Sequence, residues 1–166
     1  MSSILRTKCL IIGESTVGKT SITKLLTNTV SDISNGYRMT RGIEVSVKKF
    51  RTQNNESEVE LFLYDCSGKQ FYQPIYETIL SHNISTIVAV FDVTNEQTLN
   101  SLHQWLTNTL KTISKDSVIG VILGNKIDLE ERVIVSKDEA HLLAKKFKMR
   151  YFETSAKHNI DTVFIK

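Results

Sequence analysis

Apolar and polar positions fall into two kinds of block that take turns along the chain. Short, almost unbroken apolar runs stand at Leu10-Ile11-Ile12, Ile87–Phe91 and Val118–Leu123. Unbroken runs suit parallel strands covered on both faces. Strands are therefore predicted at Lys8–Ile12, Val59–Tyr64, Thr86–Asp92, Val118–Gly124 and Arg150–Thr154. Glu44–Phe50 instead alternates, with Val45 and Val47 on one side and Ser46 and Lys48 on the other. That is the pattern of an edge strand, expected to form a hairpin with Val59–Tyr64 through Thr52–Ser57.

Helical spacing fills the intervals. Ile22, Leu25 and Leu26 follow Lys19, and Leu99, Leu102, Leu106, Leu110 and Ile113 form a stripe at steps of three and four. Ser136 and Glu139 make a capping box ahead of Ala140, Leu143, Ala144 and Phe147. A short helix is expected from Ile75 to about Leu80. Strands alternating with helices predict an α/β fold, a three-layer arrangement around a mostly parallel sheet with one antiparallel edge strand. In such sheets ligands bind beyond the carboxyl ends of the strands.

The length of 166 residues fits one domain spanning 1–166. Hydrophobic residues at 40% and charged residues at 23% exclude a wholly disordered chain. The net charge of +3 is too mild for a nucleic-acid footprint. Lys48, Lys49 and Arg51, and also Lys145, Lys146 and Lys148, read as solvated faces. The longest apolar run is too short to span a membrane. Cys9 and Cys66 make no disulfide framework, and Cys9 reads as a core residue. Trp105, on the long helix, reads as packing or partial surface. Phe71, Tyr72 and Tyr76 read equally well as an exposed aromatic cluster or as core.

The ends of the strands carry the chemistry. Gly13-Glu14-Ser15-Thr16-Val17-Gly18-Lys19-Thr20 is the phosphate-loop pattern GxxxxGKT, placed between a strand and a helix. Inward-facing N–H groups from Ser15 to Ser21 can form an anion nest, Lys19 can reach the β- and γ-phosphates, and the Thr20 hydroxyl is placed for Mg²⁺. Asp65 at the end of a strand can hold a metal-bound water, and the Gly68 N–H can meet a γ-phosphate. Thr40 is the candidate to close on the metal and phosphate from the loop Thr29–Gly42. Thr29 competes for that role but also reads as a helix end. In Asn125-Lys126-Ile127-Asp128, the Asp128 carboxylate can accept the paired donors of a guanine edge, which adenine lacks. Lys126 can lay its stem against the base, and Asn125 can tie this loop to the phosphate loop. In Ser155-Ala156-Lys157 the Ala156 N–H can donate to the base oxygen and Lys157 can cover the base. DxxG, NKxD or SAK alone would pass for a turn or a helix cap. Together, in this order and each just past a strand, they indicate a guanine-nucleotide site.

These motifs in this order resemble the Ras superfamily of small GTPases over essentially the whole chain. The resemblance implies a six-stranded sheet, GTP or GDP and Mg²⁺ as ligands, and GTP hydrolysis. Phe91–Glu96 (FDVTNE) is similar to the Rab branch. Met39–Val45, Val59–Asp65, and Gly68-Lys69 followed by Phe71-Tyr72 resemble the Rab-like GTPases of the intraflagellar transport B complex. That resemblance implies a switch or adaptor in the cytoplasm and the cilium or flagellum. It also implies assembly into that complex and a heterodimer with intraflagellar transport protein 25. A conventional Rab of vesicle traffic and a structural subunit that holds its nucleotide permanently remain alternatives. The catalytic positions carried over are Lys19, Gly68 and Lys69. Lys69 stands where most Ras-like enzymes have a water-orienting glutamine, so slow hydrolysis is expected. The competing reading turns Lys69 to solvent and gives its task to Gln70. Asn159–Ile165 reads as the start of a truncated last helix, and no prenylatable cysteine follows, so a fragment or a chain without a lipid anchor is expected.

Overall fold

A computed structural model describes residues 3–28, 39–52, 57–72, 84–113 and 118–160. Its strands are β1 (Ser3–Ile12), β2 (Ile43–Arg51), β3 (Ser57–Cys66), β4 (Ile84–Asp92), β5 (Ile119–Asn125) and β6 (Arg150–Thr154). Its helices are α1 (Lys19–Leu26), α2 (Glu96–Thr112) and α3 (Lys137–Phe147). The six strands form one sheet in the order β2-β3-β1-β4-β5-β6. Only the β2–β3 pair is antiparallel.

Side chains alternate across a strand, so the central strands feed two cores. Leu10, Ile12, Ile87, Ala89 and Phe91 pack with Leu99, Leu102 and Leu106 of α2 and Ala140 and Ala144 of α3. Cys9, Ile11, Leu63, Val88 and Val90 pack with Ile22 and Leu26 of α1 on the opposite face. Helices on both faces make three layers, as the apolar runs require. Both cysteines are buried and free, and burial pushes the Cys9 thiol up to about 12.

Local signals place the helix ends. The Asn95 side chain accepts from Gln97 N–H at 3.1 Å to start α2. Ser136 and Glu139 form the expected box at α3, with Ser136 N–H donating to Glu139 Oε2 at 2.9 Å and Glu139 N–H to Ser136 Oγ at 3.2 Å. α1 ends at Leu26, three residues before Thr29.

Several strands run beyond the apolar segments that announced them. β1 begins at Ser3 because Ser3–Thr7 pair in register with Ser57–Leu61. Ladder hydrogen bonds continue where the core stops, and Arg6 pairs with Glu60 at 2.9 Å there. In β2 the valine side of the alternation is the open one: Val45 and Val47 are 54% and 41% exposed. Helix α2 packs against β4, on the far side of β1 and β3 from this edge.

Trp105 is buried in the core, the packing alternative of its two readings. The aromatic residues after β3 divide: Phe71 is 84% exposed, whereas Tyr72 packs on the core. Tyr76, the helix expected near Ile75–Leu80, residues 29–38, residues 53–56 of the hairpin connection and positions 161–165 of the last helix lie outside the described residues. Among the described residues no helix is long and apolar enough to cross a membrane.

Candidate nucleotide-binding site

The loops that follow β1, β3, β5 and β6 meet at one rim of the sheet. They enclose a cleft of about 630 Å³. The parallel strands all end there, which is why motifs up to about 140 residues apart share one pocket.

The phosphate loop is shaped by its backbone. Gly18 caps α1 with φ at 102°, in the left-handed region, and a Cβ there would lie 2.1 Å from Asn125 Nδ2. Lys19 opens the helix and is only 6% exposed. Its Nζ donates to the carbonyls of Gly13 at 2.9 Å and Glu14 at 2.7 Å. Burial lowers its pKa, and the charges of Asp65 and Glu14 oppose that. A cation held among carbonyls at a helix N-terminus is matched to an anion, and the first N–H groups of α1 add to the attraction. Thr16 occupies the loop at φ 67°, unusual for a β-branched residue.

Three oxygen-bearing side chains from separate elements converge beside the loop. Thr20 Oγ1 donates to Asp65 Oδ2 at 2.5 Å and lies 3.0 Å from Thr40 Oγ1. Thr40 Oγ1 donates to the same carboxylate oxygen at 3.5 Å. The other oxygen, Asp65 Oδ1, is buried without a hydrogen-bond partner. Burial raises the Asp65 pKa despite the bonds from Thr20 and Thr40 and the charge of Lys19, and Glu44 adds repulsion. A buried orphan carboxylate oxygen beside two hydroxyls fits a hard divalent cation such as Mg²⁺, bound directly or through water.

Gly68 comes so close to the phosphate loop that a Cβ would lie 2.1 Å from Ser15 N. That contact places its backbone beside the anion nest. Lys69 is exposed and does not line the cleft. Its N–H donates to Ser67 Oγ at 3.4 Å.

At the other end of the cleft, Asn125 performs the tie expected of it. Its Nδ2 donates to the Val17 carbonyl at 2.8 Å. Its Oδ1 accepts the Ala156 N–H at 3.0 Å. The Ala156 N–H, a candidate donor to a base oxygen, is thus satisfied by Asn125 here, as a buried donor must be by something. Asp128 lines the cleft, and Ser155 Oγ donates to its Oδ1 at 2.6 Å. Lys126 sits at φ 73° with Nζ 2.5 Å from Asp92 Oδ2.

Ser15, Thr16, Gly18, Lys19, Thr20, Ser21, Thr40, Gly68, Asn125, Lys126, Asp128, Ala156 and Lys157 all line the cleft. Gly13, Val17, Asp65 and Ser155 do not line it but are hydrogen-bonded to Lys19, Asn125, Thr20 and Asp128, which do. The motifs did not announce Lys24, Met39, Glu44, Ser67 and Leu129, which complete the walls. They also missed two supports. Asp92 holds Lys126, and Trp105 Nε1 donates to Glu14 Oε1 of the phosphate loop at 3.5 Å. The FDVTNE segment was a visible signal for Asp92; no local pattern marked the Trp105 contact.

The Ras family model matches residues 8–166. The chain belongs to the Ras family. Intraflagellar transport protein 27 homolog of Mus musculus is 32% identical over 92% of this chain and 82% of that relative. The Homo sapiens homolog is 31% identical with the same coverage. Ras-related protein Rab-3B of Homo sapiens is 35% identical over 92% of this chain and 67% of its own length. This Ras-family chain is thus a Rab-like GTP-binding protein, of a family whose members hydrolyse GTP and use Mg²⁺. Its six-stranded sheet and phosphate loop form the P-loop GTPase fold.

Proposed function

We propose that this protein is a guanine-nucleotide switch or adaptor of the intraflagellar transport protein 27 type, a subunit of the intraflagellar transport B complex. It works in the cytoplasm and the cilium or flagellum and pairs with intraflagellar transport protein 25. The observation that carries the nucleotide assignment is Asn125, which links the phosphate loop, through Val17, to the base-side loop, through Ala156. One ligand with an anionic end and a guanine end would occupy both halves. In this reading the N–H groups of the loop and α1, with Lys19, hold the phosphates. Thr20, Thr40 and Asp65 hold Mg²⁺, which when bound neutralises phosphate charge. Asp128 accepts the guanine donors, Lys126 and Lys157 flank the base, and Ser155 keeps Asp128 oriented.

Positioning and electrostatics supply most of the catalysis in phosphoryl transfer. Lys69 cannot accept a hydrogen bond from a water in the way glutamine can, so intrinsic hydrolysis is slow. Lys69→Gln is expected to raise the single-turnover rate, and an unchanged rate removes Lys69 as the cause.

The primary test is the ligand itself. Purified protein is denatured and the released small molecule is separated chromatographically. GDP or GTP is expected, with uptake of fluorescent GDP after stripping. Folded protein that retains none and takes up none would overturn the assignment. Capture from ciliated cells with GDP-loaded and analogue-loaded protein tests the remainder. Recovery of transport-complex subunits supports the adaptor reading. Equal recovery in both states makes the protein a structural subunit, because a ligand without differential affinity shifts no equilibrium. The similarity to Rab-3B favours a second reading, a conventional vesicle-traffic Rab, which predicts membrane recruitment in place of that capture.

A further inference from the structure

Strand β4 ends in the FDVTNE segment, whose residues are not among those that line the cleft. Its last residue is Asp92, paired across the sheet with Asn125. The Asp92 side chain is 10% exposed and both its oxygens are engaged. Oδ2 lies 2.5 Å from Lys126 Nζ. Oδ1 accepts from Thr94 N–H at 2.9 Å and Thr94 Oγ1 at 2.7 Å. Around it, Thr98 Oγ1 receives the Asp92 N–H at 3.0 Å, and the Val93 N–H donates to the Asn125 carbonyl at 3.0 Å. Burial alone would raise the Asp92 pKa, but the bonds from Lys126 and Thr94 and the Lys126 charge together hold it below the ordinary value.

Lys126 is the residue that gains. Its backbone lies at φ 73°, and its side chain lines the cleft while its charged tip is held at Asp92. A lysine with a free tip samples many rotamers, and fixing it has an entropic cost. A tip fixed before the ligand arrives leaves the methylene stem standing as a wall.

We propose that Asp92 is a positioning residue of the base pocket: by fixing the Lys126 tip, it sets how long a nucleotide stays bound. This rests on the nucleotide reading above. Asp92 touches no ligand and acts through Lys126, with Thr94 holding the carboxylate at the angle that Lys126 needs. A merely structural Asp92 would weaken the fold without any dependence on the lysine tip.

The test is a double-mutant cycle on release of fluorescent GDP from the full chain. Asp92→Asn keeps the shape and removes the charge. Lys126→Met keeps a stem and removes the ammonium. Asp92→Asn is expected to speed release about tenfold, or about 1.4 kcal/mol. In the Lys126→Met background the same change is expected to do nothing further. Release at the wild-type rate, or effects that simply multiply, would overturn the proposal. Thr94→Val covers the case in which Asp92→Asn does not fold. It is expected to speed release about twofold to threefold in the wild-type background only, and an equal effect in both backgrounds overturns the proposal. Wild-type protein that holds no GDP would be a different failure, that of the nucleotide reading itself.

Discussion

Asn125 is the sharpest place to test the logic of the site. It is 2% exposed and satisfies two buried backbone groups from loops on opposite sides of the cleft. Asn125→Ala leaves the Val17 carbonyl and the Ala156 N–H without their partner. Each orphaned buried group costs about 1–3 kcal/mol. The total is then about 2–5 kcal/mol, since the cleft admits some water. In a domain of this size that lowers Tm by about 5–15 °C. Gly18 supplies the control. Gly18→Ala carries two penalties: left-handed backbone at φ 102°, costing about 1–2 kcal/mol, and a Cβ 2.1 Å from Asn125 Nδ2. The second penalty vanishes when Asn125 is already alanine. Urea unfolding of the stripped protein in chelator, as wild type, both single variants and the double, measures all four corners. The coupling is expected to exceed about 1 kcal/mol, with unchanged m-values. If Gly18→Ala costs the same in both backgrounds, the close approach of Gly18 and Asn125 does not govern the loop.

Asp65 makes the unloaded protein sensitive to pH. Its folded pKa is raised, so the folded state holds the proton more tightly than the unfolded state. The resulting stabilisation is full below the ordinary carboxylate value and is lost as pH rises through the folded value. Melting of magnesium-free protein is expected to show this slope, at most about 1.4 kcal/mol per pH unit, and Asp65→Asn to flatten it. An identical slope in the variant refutes the assignment to Asp65. Thr16→Gly relieves the backbone at φ 67° and is expected to raise Tm by about 2–4 °C, with Thr16→Ala recovering less. A fall in Tm would show that the strain is absent. Lys19→Ala removes the buried cation beside the loop and is expected to weaken GDP binding more than tenfold by calorimetry, since bonds to charged groups are worth about 1.5–3 kcal/mol. Unchanged affinity would remove Lys19 from the phosphate site.

The sheet and its helices were legible because burial writes a period into the chain. Leu99, Leu102, Leu106 and Leu110 carry that period for α2, Leu10-Ile11-Ile12 and Ile87–Phe91 mark doubly covered strands as unbroken apolar runs, and the capping box at Ser136 fixes a boundary to the residue. Strand ends were less legible: the polar start of β1 is held by ladder bonds to β3 and has no apolar signature. The sense of the β2 alternation was illegible because it depends on where α2 lies, three strands away. The phosphate loop, Asp65 and Asn125 to Asp128 were readable because their chemistry demands particular residue types at fixed spacing. Lys24, Glu44 and the Trp105–Glu14 contact bring together segments that meet only after folding, and one segment alone carries no trace of them.

Trp105 is the chain's single tryptophan, and its indole N–H reaches the side chain next to Gly13. All indole emission therefore originates from one ring, nearly shut off from water and wired to the loop between β1 and α1. Filling or emptying that loop changes the field around the ring. A GDP titration of the unlabelled protein is therefore expected to shift the indole emission, and a flat signal would show that Glu14 does not relay occupancy to the ring.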